Sequence, residues 1–72
     1  NGVKYDLVVM DNAAMIRSVR GDATGLTMQI VLDAPKGNEK VYINGVESKR
    51  FTIKDGKAYV TVALQSALVE IK

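Results

Sequence analysis

The chain has 72 residues, 47% of them hydrophobic and 25% charged, with a net charge of +2 and no Cys, His or Trp. That length allows one domain, and the apolar share excludes wholesale disorder. The missing residue types exclude a disulfide framework, thiol chemistry and a Cys/His zinc site.

No apolar run approaches the roughly 20 residues that cross a bilayer. The cationic excess is too small for a nucleic-acid footprint. Its distribution is uneven. Residues 36–57 hold six basic groups against Glu39, Glu47 and Asp55, a local +3, whereas residues 1–35 carry three basic and four acidic groups. A weak basic edge in the second half is one reading, and ordinary solvated loop and strand charge is the other.

The dominant hydrophobic period is two. Tyr5, Leu7 and Val9 alternate first, and the run Val8-Val9-Met10 makes that strand apolar on both faces. Asp11-Asn12 ends it. Over residues 14–20, Ala14, Ile16 and Ser18 would share one face, with Met15, Arg17 and Val19 on the other. The loop Gly21-Asp22-Ala23-Thr24-Gly25 follows. Leu26, Met28, Ile30 and Leu32 then alternate with Thr27, Gln29, Val31 and Asp33, which predicts a strand buried on one face.

Ala34-Pro35-Lys36-Gly37-Asn38 reads as a loop. Val41 and Ile43 flank Tyr42, and Phe51 and Ile53 flank Thr52. Between and beyond them, Asn44-Gly45 and Asp55-Gly56 are dipeptides that tolerate positive φ and suit tight hairpins. Ala58, Val60, Val62 and Leu64 alternate with Tyr59, Thr61 and Ala63, Gln65-Ser66 is a weaker break, and Val69 and Ile71 close the chain. The pattern predicts an all-β, antiparallel β-sandwich of about seven short strands. Its expected core is Leu7, Val9, Leu26, Met28, Ile30, Leu32, Val41, Ile43, Phe51, Ile53, Val60, Val62, Val69 and Ile71.

Two stretches resemble known proteins. The segment Val8-Val9-Met10-Asp11-Asn12-Ala13-Ala14-Met15-Ile16-Arg17-Ser18-Val19-Arg20, followed by Gly25-Leu26-Thr27, resembles the start of the small C-terminal β-domain of family 8 polysaccharide lyases. These are the hyaluronate, chondroitin and xanthan lyases. The aromatic that often follows in that pattern is replaced by Met28-Gln29-Ile30. The second half, Val41 to Glu47 and Phe51 to Lys57, is similar to terminal β-domains of many secreted carbohydrate-active enzymes. The resemblance implies an accessory domain, because catalysis in those lyases belongs to a separate helical domain. It implies a parent enzyme that is secreted, periplasmic or at the cell surface. The chain starts Asn1-Gly2 without Met, and an excised piece of a longer protein is expected.

Residue chemistry points the same way. Without His, acid–base work would fall to carboxylates, and these sit mostly on expected turns and polar faces. Ser18, Ser48 and Ser66 have no histidine base, and Ser48 and Lys49 are adjacent on a strand and so point to opposite faces. No catalytic residue, metal site or cofactor is expected. Arg20-Gly21-Asp22 matches an adhesion tripeptide in an expected loop, and matches this short arise by chance.

Tyr42 and Tyr59 lie out of phase with their apolar neighbours and are expected to share an outer face. With Lys40 and Lys57 beside them, that face would suit an acidic glycan, or else a neighbouring domain. The leading expectation is a non-catalytic structural domain, monomeric as excised, that packs on an upstream domain of its parent. The alternatives are a carbohydrate-binding module and a cell-surface adhesin-type sandwich unit. Neither nucleic acid nor a membrane span is expected.

Overall fold

A computed structural model describes residues 2–72. Eight strands follow in order: β1 (Lys4–Val9), β2 (Ala13–Arg20), β3 (Thr27–Asp33), β4 (Val41–Ile43), β5 (Val46–Ser48), β6 (Phe51–Lys54), β7 (Lys57–Ala63) and β8 (Ala67–Ile71). Among the described residues there is no helix. The strands make two antiparallel sheets, one of five in the order β1-β2-β8-β4-β5 and one of three in the order β3-β7-β6. The all-β sandwich form expected from the period of two is therefore present. The additional strand is β5, Val46-Glu47-Ser48, whose single apolar residue leaves no alternation to read.

Two-residue turns build both short hairpins. Asn44 and Gly45 have φ of 52° and 83°, and Asp55 and Gly56 have φ of 53° and 77°. Two successive positive φ values define the turn whose twist matches that of its strands, and Asx-Gly pairs reach it at least cost. Asn44 does more than turn the chain. Its backbone N–H donates to the Leu68 carbonyl, and its side-chain oxygen accepts the Leu68 N–H at 2.9 Å. That exchange pins the β4–β5 turn to β8.

The core lies between the sheets. Ala14 and Ile16 of β2, Val69 and Ile71 of β8 and Val41 of β4 meet Ile30, Leu32, Ala58, Val60 and Val62 of the smaller sheet, all buried. Met28, Ile43, Phe51 and Ile53 pack around them, half-buried. Three expected core residues are not inside: Leu7, Val9 and Leu26 are exposed.

Register explains the first two. Val9 pairs with Ala14, Ala14 with Val69, Val69 with Ile43 and Ile43 with Val46, so one row crosses the inner face of the whole larger sheet. Its middle members Ala14 and Val69 are 0% exposed, whereas Val9 is 53% and Val46 70% exposed. Strands are spaced about 4.8 Å apart, so a five-stranded sheet overhangs a three-stranded one by about 10 Å. The overhang falls on β1 and β5. Leu26 precedes β3 and gives its carbonyl to the Leu64 N–H at the end of that sheet.

The phase of β2 changes midway. Lys4 pairs with Arg20 and Asp6 with Arg17, which leaves Tyr5 opposite both Ser18 and Val19. Ser18 absorbs this bulge with φ of 57°. Val19 consequently packs against the core, and Ser18, expected on the buried face, is exposed.

Candidate functional site

The four residues expected to form one surface are divided between the sheets. Tyr42 lies on β4, paired with Glu70 on one side and Glu47 on the other. Tyr59 lies on β7, paired with Val31 and Thr52. Each ring points away from the core, as its phase requires, because Val41, Ala58 and Val60 beside them are fully buried. The chain crosses from one sheet to the other between β5 and β6, however, so the two outward directions are opposite. The shared face is corrected to two faces on opposite sides of the sandwich.

Each tyrosine keeps its own lysine. Lys40 precedes β4 in phase with Tyr42 and accepts the Lys72 N–H at its carbonyl. The Lys72 ammonium sits 5.4 Å from the centre of the Tyr42 ring. Glu47 and Glu70 flank this ring, and a bond from Lys49 to Glu47, helped by nearby Lys40, holds the Glu47 carboxyl below the usual carboxylate range. The Tyr42 face thus mixes three cations with two carboxylates.

Lys57 lies on the Tyr59 side and donates to the Asp33 carboxylate across the strand pair. That bond raises the Lys57 ammonium above the usual lysine value. Next to Tyr59, a shallow groove on the outer face of the smaller sheet is lined by Gln29, Arg50, Thr52, Lys54 and Thr61. Arg50 and Lys54 belong to the basic stretch of residues 36–57 but not to the four residues expected at the site. The signal for Lys54 was its alternation with Phe51 and Ile53.

The carboxylates serve local structure. Hydrogen bonding from Thr24, first from its side chain and then from its backbone N–H at 3.1 Å, keeps the Asp22 carboxyl low. Burial pushes the Glu39 carboxyl up, but bonds from backbone N–H groups, including those of Lys36 and Gly37, outweigh it and leave it lowered. Among the described residues no three His, Cys, Asp or Glu side chains converge on a metal-sized site. The Arg20-Gly21-Asp22 loop is held against the start of the chain. Gly21 has φ of 97°, and a Cβ there would collide with the Gly2 carbonyl.

The largest concentration of exposed apolar side chains lies elsewhere, on β1 and its turn into β2. Tyr5, Leu7, Val8, Val9, Met10 and Met15 are all exposed. Val8, Met15 and Leu68 pair in one row on the outer face, while Leu7 and Val9 occupy the overhanging inner face. The sequence showed that this strand is apolar on both faces. It could not show that no second sheet covers it.

β1 is also an open edge, paired only with β2. The direction of its backbone groups follows from bonds at the hairpin end. Asn12 O accepts from Ile71 in β8, and Ala13 O accepts from Met10 at 2.7 Å. Alternation then turns Met15 and Arg17 toward β1, where they meet Val8 and Asp6. The N–H and C=O groups of Leu7 and Val9 therefore point off the open edge.

Among the described residues no helix is long and apolar enough to cross a membrane. The chain matches no protein-family model, no curated protein and no solved structure.

Proposed function

We propose that this chain is a non-catalytic accessory β-domain of a polysaccharide-degrading enzyme that is secreted, periplasmic or at the cell surface, and that it works by holding to a neighbouring domain of its parent. The observation that carries this reading is the apolar surface on β1 and β2, where six large side chains stand in solvent. Contiguous apolar exposure of that kind marks interaction surfaces. The lyase-like segment, Val8 to Arg20, coincides with this hairpin. A chain without His or Cys, whose Asp22, Asp33, Glu39 and Glu47 are engaged in turns and ion pairs, offers little for acid–base or nucleophilic work.

Methionine oxidation tests the docking reading. In the 72-residue chain, Met10 and Met15 should be oxidised readily by dilute peroxide. In the longer chain that carries the flanking residues, both should be shielded while the fold is unchanged. Equal oxidation in the two would remove the reading. Turnover of hyaluronan or chondroitin by the isolated chain, abolished by one substitution, would contradict the non-catalytic assignment.

A second reading rests on the groove beside Tyr59. Its aromatic ring and the cations Arg50 and Lys54 suit an acidic sugar chain. Titration with uronic-acid oligosaccharides at low salt would then shift Tyr59 and Lys54 resonances and leave Tyr42, on the opposite face, unmoved. No shift at millimolar ligand rules this reading out.

A further inference from the structure

We infer that β1 is a self-pairing edge: two copies of this chain join antiparallel through β1, making one ten-stranded sheet from the two five-stranded ones. The inference rests on the docking reading in taking β1 as uncovered, but it names the occupant as a second copy. Three observations carry it.

The first is the backbone. Leu7 and Val9 present N–H and C=O groups at the open edge that water solvates in the monomer and that another extended strand can pair in alternation. The second is guarding. β5 has three residues and β6 carries Lys54 on a four-residue strand; the longer β3 edge has its Asp33 N–H bound by the Asp11 carbonyl, which leaves Thr27, Gln29 and Val31, two of them polar, as its open residues. β1 has no proline or glycine, and its two charges, Lys4 and Asp6, leave Leu7, Val8 and Val9 as an unbroken apolar run.

The third is charge and register. Placing Leu7 opposite Leu7 of the copy is compatible with the outward groups, because both belong to the outward set. It sets Tyr5 against Val9, Asp6 against Val8 and Lys4 against Met10. No charge then faces a like charge, and Asp6 keeps Arg17 as its neighbour within its own sheet. Sliding the copies by one pair in one direction would bring Asp6 against Asp6 and is disfavoured, whereas sliding in the other sets Val8 against Val8 and moves Tyr5 off the paired segment, so the Leu7-centred register pairs the most of β1. The two inner faces bearing Leu7 and Val9 become continuous across the two-fold axis.

A six-residue edge offers less than the roughly 800 Å² per partner of a standard interface. The dimer should therefore dissociate in the range of about 100 μM. The monomer expected from the sequence is the dilute species.

The test uses the 72-residue chain from about 10 μM to 1 mM. Sedimentation should show reversible dimerisation, and Leu7 and Val9 amide exchange should slow about fourfold across that range while Val8, already bonded to β2, stays constant. N-methylation of Val9, feasible by synthesis at this length, removes a donor that points off the edge and should abolish dimerisation with little change in melting temperature. Since the chain has no cysteine, Leu7→Cys is a clean probe. It should cross-link to itself on mild oxidation, and Lys4→Cys should not. A chain monomeric at 1 mM overturns the inference and leaves the docking reading standing. A dimer indifferent to Val9 N-methylation overturns it too, since another surface then pairs. Protection of Leu7 and Val9 equal to that of Val8 in dilute solution overturns both, because the edge would already be covered.

Discussion

β8 buries Ala67, Val69 and Ile71, whereas β1, which carries Tyr5, Leu7, Val8 and Val9, is exposed along its whole length. Their compositions alone do not foretell that difference, since both strands have fully apolar inner rows, Tyr5, Leu7 and Val9 in β1 and Ala67, Val69 and Ile71 in β8. Position in the sheet decides it. β8 is third of five strands and lies under the smaller sheet, and β1 is first and lies beyond it. The same row of paired residues passes from exposed to fully buried and back to exposed across the sheet. An apolar strand that its own domain leaves bare is surface available to another body, and the functional reading starts there.

The largest effect expected from this contrast comes from two residues directly opposite each other. Leu7 and Ile16 are partners across β1 and β2, but Leu7 is 40% exposed and Ile16 1%. Ile16→Ala should cost about 2–5 kcal/mol, enough to unfold much of so small a domain, and Leu7→Ala less than about 1 kcal/mol. Ile30→Ala, on the opposing sheet, belongs with Ile16. Denaturant unfolding of the variants at one low concentration checks this. Equal losses for Leu7→Ala and Ile16→Ala would mean that β1 is covered after all.

The turns sharpen the comparison at a smaller scale. Gly56→Val should destabilise by about 1–2 kcal/mol more than Lys57→Val, because a β-branched residue resists a φ of 77°. For a domain of this size that separates the two melting temperatures by roughly 4–8 °C per kcal/mol. Asn44→Ala should cost about 1 kcal/mol through its bond to Leu68. Deletion of a side-chain bond within the exposed Asp22–Thr24 turn should cost less.

Much of the fold was legible because local chemistry and tertiary packing agree. Period-two alternation placed Ile30, Leu32, Val60, Val62, Val69 and Ile71 inside, and Asp55-Gly56 marked its hairpin. Four things were not legible. Alternation tells which way a side chain points relative to its own sheet, and not which sheet, so it cannot separate the faces of Tyr42 and Tyr59. It tells which face is inner, and not how wide the covering sheet is, so it cannot show that Leu7 and Val9 lie beyond the core. It also assumes an unbroken strand, which the Ser18 bulge violates. Small buried residues such as Ala34 and Ala67 carried too weak a signal to be noticed.

The smallest expected effect concerns pH. Asp22, Glu39 and Glu47 have lowered carboxyl values, so their contribution is present above the ordinary carboxylate range and is lost as pH falls through the lowered values. Lys57 is raised, so its contribution is present below the ordinary lysine value and is lost as pH rises through the raised one. With no His in the chain, the melting temperature should stay flat between about pH 6 and 9 and decline gently on either side. Because these groups are exposed, added salt should flatten both declines. A sharp transition near neutral pH would contradict this assignment.

The contrast between β1 and β8 can be read directly from methyl groups in dilute solution exposed to a soluble paramagnetic probe. Leu7, Val8 and Val9 should relax strongly, showing that both faces of β1 meet solvent, while Val69 and Ile71 should be nearly untouched. Adding the partner domain, or raising the concentration until copies pair, should quench the effect at β1 alone. Leu7 and Val9 methyls as protected in dilute solution as those of Val69 would contradict the account, because β1 would then be part of the core and no docking surface would remain there.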